Sequence, residues 1–241
     1  MDDRQTIAER VQRVRERIAA ACAGAGRDPE GVTLVAVSKT HPPEAVREAA
    51  TCGLRIFGEN RVQEAGFKIP LCPGHLDWHL VGHLQANKAR PAVRLFSTIH
   101  SVDSIDLLRR IDAIAGEEGR RPRVLLEVNV SGEGSKNGMR PDDVPAALEA
   151  ANGLSCVEVA GFMTMPPYCE DPERARGFFR ALRGLRDRCA AQTGFILPEL
   201  SMGMSMDFEV AIGEGATLVR VGSDLFGARG SPWRPAGGTE T

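Results

Sequence analysis

The chain has 241 residues, 42% of them hydrophobic, enough to bury a large core in one barrel-sized domain or two small ones. Its 30 basic and 32 acidic side chains leave a net charge of -2 with no basic stripe or acidic tail, which excludes nucleic acid as an expected main partner. No apolar stretch approaches the roughly 20 residues that span a bilayer, and the first segment lacks the cationic-then-apolar order of a signal peptide, so a cytoplasmic protein with no membrane partner is expected.

The first expected element is a helix. Ile7, Val11, Val14 and Ile18 recur at helical spacing, and Thr6 with Glu9 has the form of a capping box. The apolar run from Val32 to Val37 predicts a first strand, and the prolines of "PPEAVREAATCG" open a helix that Gly53 closes. Strand patterns then recur at 54–60, 78–84, 97–103, 123–130, 156–165, 198–204 and 217–227, with helical patterns between them. "SIDLLRRIDAIAGEEG" carries a serine cap and a glycine stop, and "DPERARGFFRALRGLRDRCAAQTG" opens with Asp then Pro. The six cysteines are widely spaced with no C-x-x-C pair, and reduced thiols are expected.

Eight strands alternating with helices over about 200 residues fit a single (β/α)8 TIM-type barrel with an extra N-terminal helix, because parallel strands need helical crossovers and eight of them close. A doubly wound open sheet is the alternative. The barrel is expected over 1–229, and 230–241, rich in Gly and Pro, as a flexible tail.

In such barrels the working residues sit where strands end. The stretch "LVAVSKTHPP" carries Lys39 out of the first strand. In "TLVRVGSDLFG", Arg220 shares the side-chain parity of Gly222, so it should point into the barrel with the glycine following at the rim. Gly222 lets the backbone approach a ligand, and "GSDLFG" can start a short helix whose free N–H groups accept an anion, where barrels often hold phosphate. Barrel closure sets strand one beside strand eight and so brings Lys39 to that cradle. A lysine at a partly desolvated rim has its neutral amine favoured, and a neutral amine forms a Schiff base with an aldehyde. An aldehyde that also carries a phosphate describes pyridoxal 5′-phosphate.

The segments "VAVSKTHPPEAV", "FGENRVQEA", "WHLVGHLQANK", "SVDS", "VNVSGEGSKNGM", "GFMTMPP", "LSMGMSMDFEVAI" and "VRVGSDLFGAR" resemble, in order from about Val35 to Arg229, those of the pyridoxal-phosphate homeostasis proteins. That resemblance implies a single barrel similar to the N-terminal domain of alanine racemase. It makes Lys39 the cofactor lysine, sets Asn60 beside the cofactor, gives Ser201, Gly222 and Ser223 to the phosphate, and turns Arg220 to the pyridine nitrogen. His83 and Ser223 depart from the residues common at their positions, Pro or Thr and Thr respectively; neither should abolish binding.

Pyridoxal phosphate is an electron sink only as far as its ring nitrogen is protonated, which calls for a carboxylate rather than a cation such as Arg220. Turnover also needs a second acid/base across from the lysine, for which this chain offers no further domain. Tyr168, the only tyrosine, lies just past strand six, where a surface turn is expected. The expected function is that of an intracellular carrier or regulator of pyridoxal phosphate, a monomer that hands cofactor to PLP-requiring apo-enzymes. The alternative is a small PLP-dependent racemase or decarboxylase. A third class, a metal-dependent hydrolase, draws on Cys72, His75, His79 and His83, but the last three share a face only on a helix, and Gly82 with the strand-like "WHLVGHL" argues against one.

Overall fold

Short apolar runs that alternate with amphipathic segments give strands that must be covered on their outer face, and the chain solves this by closing the sheet on itself. The computed structural model describes residues 5–134, 136–227 and Trp233. Its parallel strands are β1 (Thr33–Val37), β2 (Ile56–Glu59), β3 (Asp77–Leu80), β4 (Thr98–Val102), β5 (Arg123–Glu127), β6 (Glu158–Met163), β7 (Glu199–Met204) and β8 (Leu218–Val221). Each pairs with the next, and β8 returns to β1 with Val35 opposite Arg220 and Ala36 opposite Val221. The closed (β/α)8 barrel is therefore the fold, and the open doubly wound sheet is excluded.

Among the described residues the helices are α1 (Ile7–Gly24), α2 (Pro43–Thr51), α3 (Val62–Lys68), α4 (Ala89–Leu95), α5 (Ile105–Glu117), α6 (Val144–Ala151), α7 (Arg176–Thr193), α8 (Phe208–Gly213) and α9 (Ser223–Phe226). The capping box at the start of α1 is present: Glu9 N–H donates to Thr6 Oγ1 at 3.2 Å, and Thr6 N–H to Glu9 Oε2 at 2.8 Å. Ser104 caps α5 by accepting from Leu107 N–H. The extra helix α1 packs on α8 and α9, where Arg17 pairs with Glu209 at 2.6 Å and lies over the Phe208 ring. No helix among the described residues is long and apolar enough to cross a membrane.

The main core lies between barrel and helices and includes Phe57, Phe162, Phe179 and Phe208, all fully buried. Burying each such ring contributes about 2–3 kcal/mol. A smaller cluster, Val35, Val37, Val81, Leu125, Ala160, Met163 and Leu218, fills part of the barrel interior. The strand expected over 78–84 leaves the ladder at Leu80 because the chain must pass close to its neighbour: a Cβ on Gly82 would stand 2.3 Å from the Asn60 carbonyl oxygen. Of the expected tail, only Trp233 is among the described residues, and its N–H donates to the Thr40 carbonyl at 3.0 Å. None of the six cysteines is in a disulfide.

Candidate functional site

Lys39 leaves the barrel two residues past the end of β1, and its flanks are pinned from both sides. Ahead of it, the Ser38 carbonyl accepts from Lys68 Nζ at 2.9 Å and the Ser38 hydroxyl donates to Glu59 Oε1 at 2.7 Å. After it, Thr40 N–H donates to Glu64 Oε1 at 2.6 Å. Thr40 has a φ of +67°, left-handed backbone that a β-branched residue adopts only when its surroundings impose it. Such a residue costs about 1–3 kcal/mol and is commonest beside functional groups. Lys68 binds Glu59 and Glu64, each at 2.7 Å, with its own side chain fully buried. Burial pushes the Glu59 carboxyl up to about 7 against the pull of Lys68, and its Oε2 has no hydrogen-bond partner among the described residues. The Trp233 ring lies 5.8 Å from the Lys68 ammonium.

A cavity of about 290 Å³ opens at the C-terminal end of the strands and is lined by Lys39, Asn60, Arg220, Gly222 and Ser223. Five of the six residues expected from sequence thus converge. Val37, Val81 and Met165 supply apolar wall. The sixth, Ser201, does not reach the cavity. It is the third residue of β7, fully buried in the barrel, where its Oγ lies 2.8 Å from His100 Nδ1 and accepts from Arg220 Nη1 at 2.5 Å. Ser205, four residues on, lines the cavity in its place and accepts from the Gly222 N–H at 3.3 Å. Gly203 makes this possible: at φ +90°, with Ala211 Cβ 2.6 Å from where its own Cβ would be, only glycine lets β7 turn there.

Arg220, 4% exposed, also donates Nη2 to the Thr164 carbonyl at 2.9 Å. Burial brings the guanidinium down to about 10 while Asp207 and Glu127 pull the other way, so it stays a cation at neutral pH. Glu127 is itself pushed up to about 7 by burial and by Asp103, and its Oε2 has no hydrogen-bond partner among the described residues. Tyr168 stands at the mouth, 79% exposed, as a surface turn would place it.

The rival metal constellation is dispersed. His75 contacts Arg55, His79 points inward to His100, and His83 pairs with Asp103 at 3.2 Å. Among the described residues no group of three or more His, Cys, Asp or Glu side chains is placed to hold a metal ion. Sequence reasoning missed Glu64, Lys68 and His100. The i, i+4 spacing of Glu64 and Lys68 reads as an exposed helical pair, and only Glu59, arriving from β2, makes it a buried triad.

The sequence profile of the family described as "Alanine racemase, N-terminal domain" matches residues 3–230. A protein of Aquifex aeolicus named "Pyridoxal phosphate homeostasis protein" is 47% identical over 222 residues, covering 92% of this chain and 97% of its own. One of the same name from Pseudomonas aeruginosa is 46% identical over 226 residues, covering 93% and 96%. The structure of PipY from Synechococcus elongatus, solved with PLP bound, superposes with a TM-score of 0.82 at 42% identity, covering 92% of this chain and all of that one.

Proposed function

The chain belongs to the family of pyridoxal phosphate homeostasis proteins, and from that premise we propose that it binds pyridoxal 5′-phosphate in the Lys39 cavity and acts as a carrier or regulator of that cofactor. The observation that carries the reading is the meeting of a lysine amine, a buried guanidinium and the Gly222–Ser223 turn on one cavity. Its volume of about 290 Å³ matches the low end of ligand pockets, roughly 300–1,000 Å³. When bound, pyridoxal phosphate supplies an aldehyde that takes up a primary amine with loss of water, and a ring that draws electrons from what is attached.

The residues divide the work by chemistry. Lys39 offers the amine from a backbone held on both sides. Gly222 and Ser223 open α9, whose first N–H groups have no intrahelical acceptor and suit phosphate oxygens, with the Ser205 and Ser223 hydroxyls beside them. Asn60 lines the wall next to Lys39. Arg220, a fixed cation, disfavours a proton on a ring nitrogen placed against it, because like charges repel. That weakens electron withdrawal and supports binding without substantial turnover. Delivery by a cytoplasmic monomer to PLP-requiring apo-enzymes belongs to the same reading.

The test begins with the visible spectrum of the protein loaded with pyridoxal phosphate, followed by borohydride reduction and peptide mapping. A yellow chromophore and an adduct on Lys39 are expected, both lost in Lys39→Ala; an adduct on Lys88 or Lys136 instead sinks the assignment. Incubation with alanine, serine, lysine and ornithine, with chiral analysis and amine detection, should show no appreciable turnover. Racemisation or decarboxylation at ordinary enzyme rates, abolished by Lys39→Ala, promotes the enzyme reading, with Tyr168 the next residue to change.

A further inference from the structure

Below the cavity, polar side chains from four strands meet inside the barrel. Arg220 of β8 donates to Ser201 Oγ of β7 at 2.5 Å. His100 of β4 has Nδ1 2.8 Å from Ser201 Oγ and Nε2 3.0 Å from Nδ1 of His79 on β3. The Asp77 carboxylate, at the N-terminal end of β3, lies 3.5 Å from His79 Nε2. Arg220, Ser201, His100 and His79 are all buried, and only Arg220 lines the cavity.

Chemistry fixes the direction of the first bond, and pairing the serine hydrogen sets the rest. A guanidinium only donates, so Ser201 Oγ accepts from it. The serine hydrogen is paired among the described residues only where His100 Nδ1, 2.8 Å away, carries no proton and accepts it. Burial holds the His100 imidazole well below its usual range, and His79, Arg220 and Arg123 add to the effect, so the ring is neutral with its proton on Nε2. That proton then faces His79 Nδ1 at 3.0 Å, and His79 Nε2 lies on the side of Asp77, 3.5 Å away. Asp77 is held below the usual carboxylate range, first by His79, and is an anion.

We propose that Ser201, His100, His79 and Asp77 form a one-directional chain that positions Arg220, so that a guanidinium held in place faces the ring nitrogen of the ligand. The ligand half of this rests on the reading of the cavity as a pyridoxal phosphate site. The chain has a competitor. Glu127 and Asp207 attract Arg220 through space, and Glu127 Oε2 has no hydrogen-bond partner among the described residues. Neutral acceptors at Ser201 and Thr164 keep the guanidinium from collapsing onto those carboxylates, and leave its charge uncompensated by any hydrogen-bonded anion. Ser201, expected from sequence to hold phosphate, acts one layer deeper, on the residue at the opposite end of the ring.

The chain can be tested before any ligand is added. Long-range ¹⁵N–¹H correlation spectra of the full chain at pH 7 report the tautomer of each histidine. Both His79 and His100 should be neutral with the proton on Nε2; a proton on Nδ1, or a charged ring, at either position overturns the chain whatever the cavity binds. Loading with pyridoxal phosphate ¹⁵N-labelled in the ring then tests the ligand half. Ser201→Ala should move the ring-nitrogen resonance and weaken binding by about tenfold, the effect of losing one hydrogen bond to a charged group, and His100→Gln should move the resonance in the same direction by less. An unmoved resonance in both variants reduces these residues to packing. If the unaltered protein fails to bind the labelled compound, the cavity reading falls, while the histidine tautomers still decide the chain.

Discussion

Replacing Lys68 with methionine keeps its apolar stem and removes the cation bonded to both Glu59 and Glu64. The Ser38 carbonyl also loses its ammonium donor, and Glu59 Oε1 is left with the Ser38 hydroxyl alone. Breaking a buried pair by deleting one partner typically costs about 3–5 kcal/mol. The lower end applies here, about 3 kcal/mol, because Glu59 already sits at about 7 and can neutralise itself by taking up a proton. In a domain of this size that is a drop of about 6–12 °C in Tm. The pH dependence has a definite sign. A carboxyl whose folded pKa is raised from 4.5 to about 7 contributes most favourably below 4.5, and that contribution is lost as pH rises through 7. Without Lys68 the Glu59 pKa rises further, so the gap between variant and unaltered protein should widen from pH 6 to pH 8. Urea or thermal melts of Lys68→Met, Glu59→Gln and the double variant measure the coupling. The double variant should recover part of the loss, by about 0.5–3 kcal/mol relative to additivity. A single-variant cost below about 1 kcal/mol, or strict additivity, would refute the view that Lys68 is the counter-ion holding the Lys39 flank.

The phosphate end should dominate discrimination between ligands. Pyridoxal without phosphate should bind at least about 100-fold more weakly by fluorescence titration, as several charge-assisted hydrogen bonds are lost, and equal affinity would move the phosphate away from Ser205, Gly222 and Ser223. Gly82→Ala should destabilise the protein by about 1–3 kcal/mol and weaken cofactor binding, because its Cβ would meet the Asn60 backbone at 2.3 Å. Gly66→Ala, in α3 with its nearest neighbour 3.9 Å away, should instead raise stability by about 0.5–1 kcal/mol, and the pair compared by melts separates close approach from helix propensity.

The barrel was legible because the strand runs are short and mostly apolar, every crossover is helical, and the Thr6 and Ser104 caps mark where helices begin. Order along the chain then dictated that β1 closes on β8, which is why Lys39, Arg220, Gly222 and Ser223 could be placed together from sequence. Height within a strand was not legible. Ser201, Gly203 and Ser205 share one side-chain parity, but the register shifts between Ser201 and Met204, and alternation alone does not tell which serine reaches the rim. Burial of charge was equally hidden. A lysine four residues after a glutamate looks like a solvated helical pair until a third side chain arrives from another element, and His100 inside the apolar "TIHSV" strand shows no partner in its own neighbourhood.

These hidden residues share a consequence. The Glu59–Glu64–Lys68 triad fixes the backbone on both sides of Lys39, and the chain from Asp77 through Ser201 fixes Arg220, so both ends of the candidate site are ordered before a ligand arrives. Each rotamer-rich side chain immobilised in advance removes about 0.5–1.5 kcal/mol from the cost of binding. The cavity is also lined by His41, Asp171 and Asp207, beside the largely exposed Tyr168, whose hydroxyl has no hydrogen-bond partner among the described residues. Proton transfer to one face of a bound substrate needs a group positioned within hydrogen-bond reach on that face. Order concentrated at Lys39 and Arg220 suits the capture and exchange of an amine-reactive cofactor that we propose.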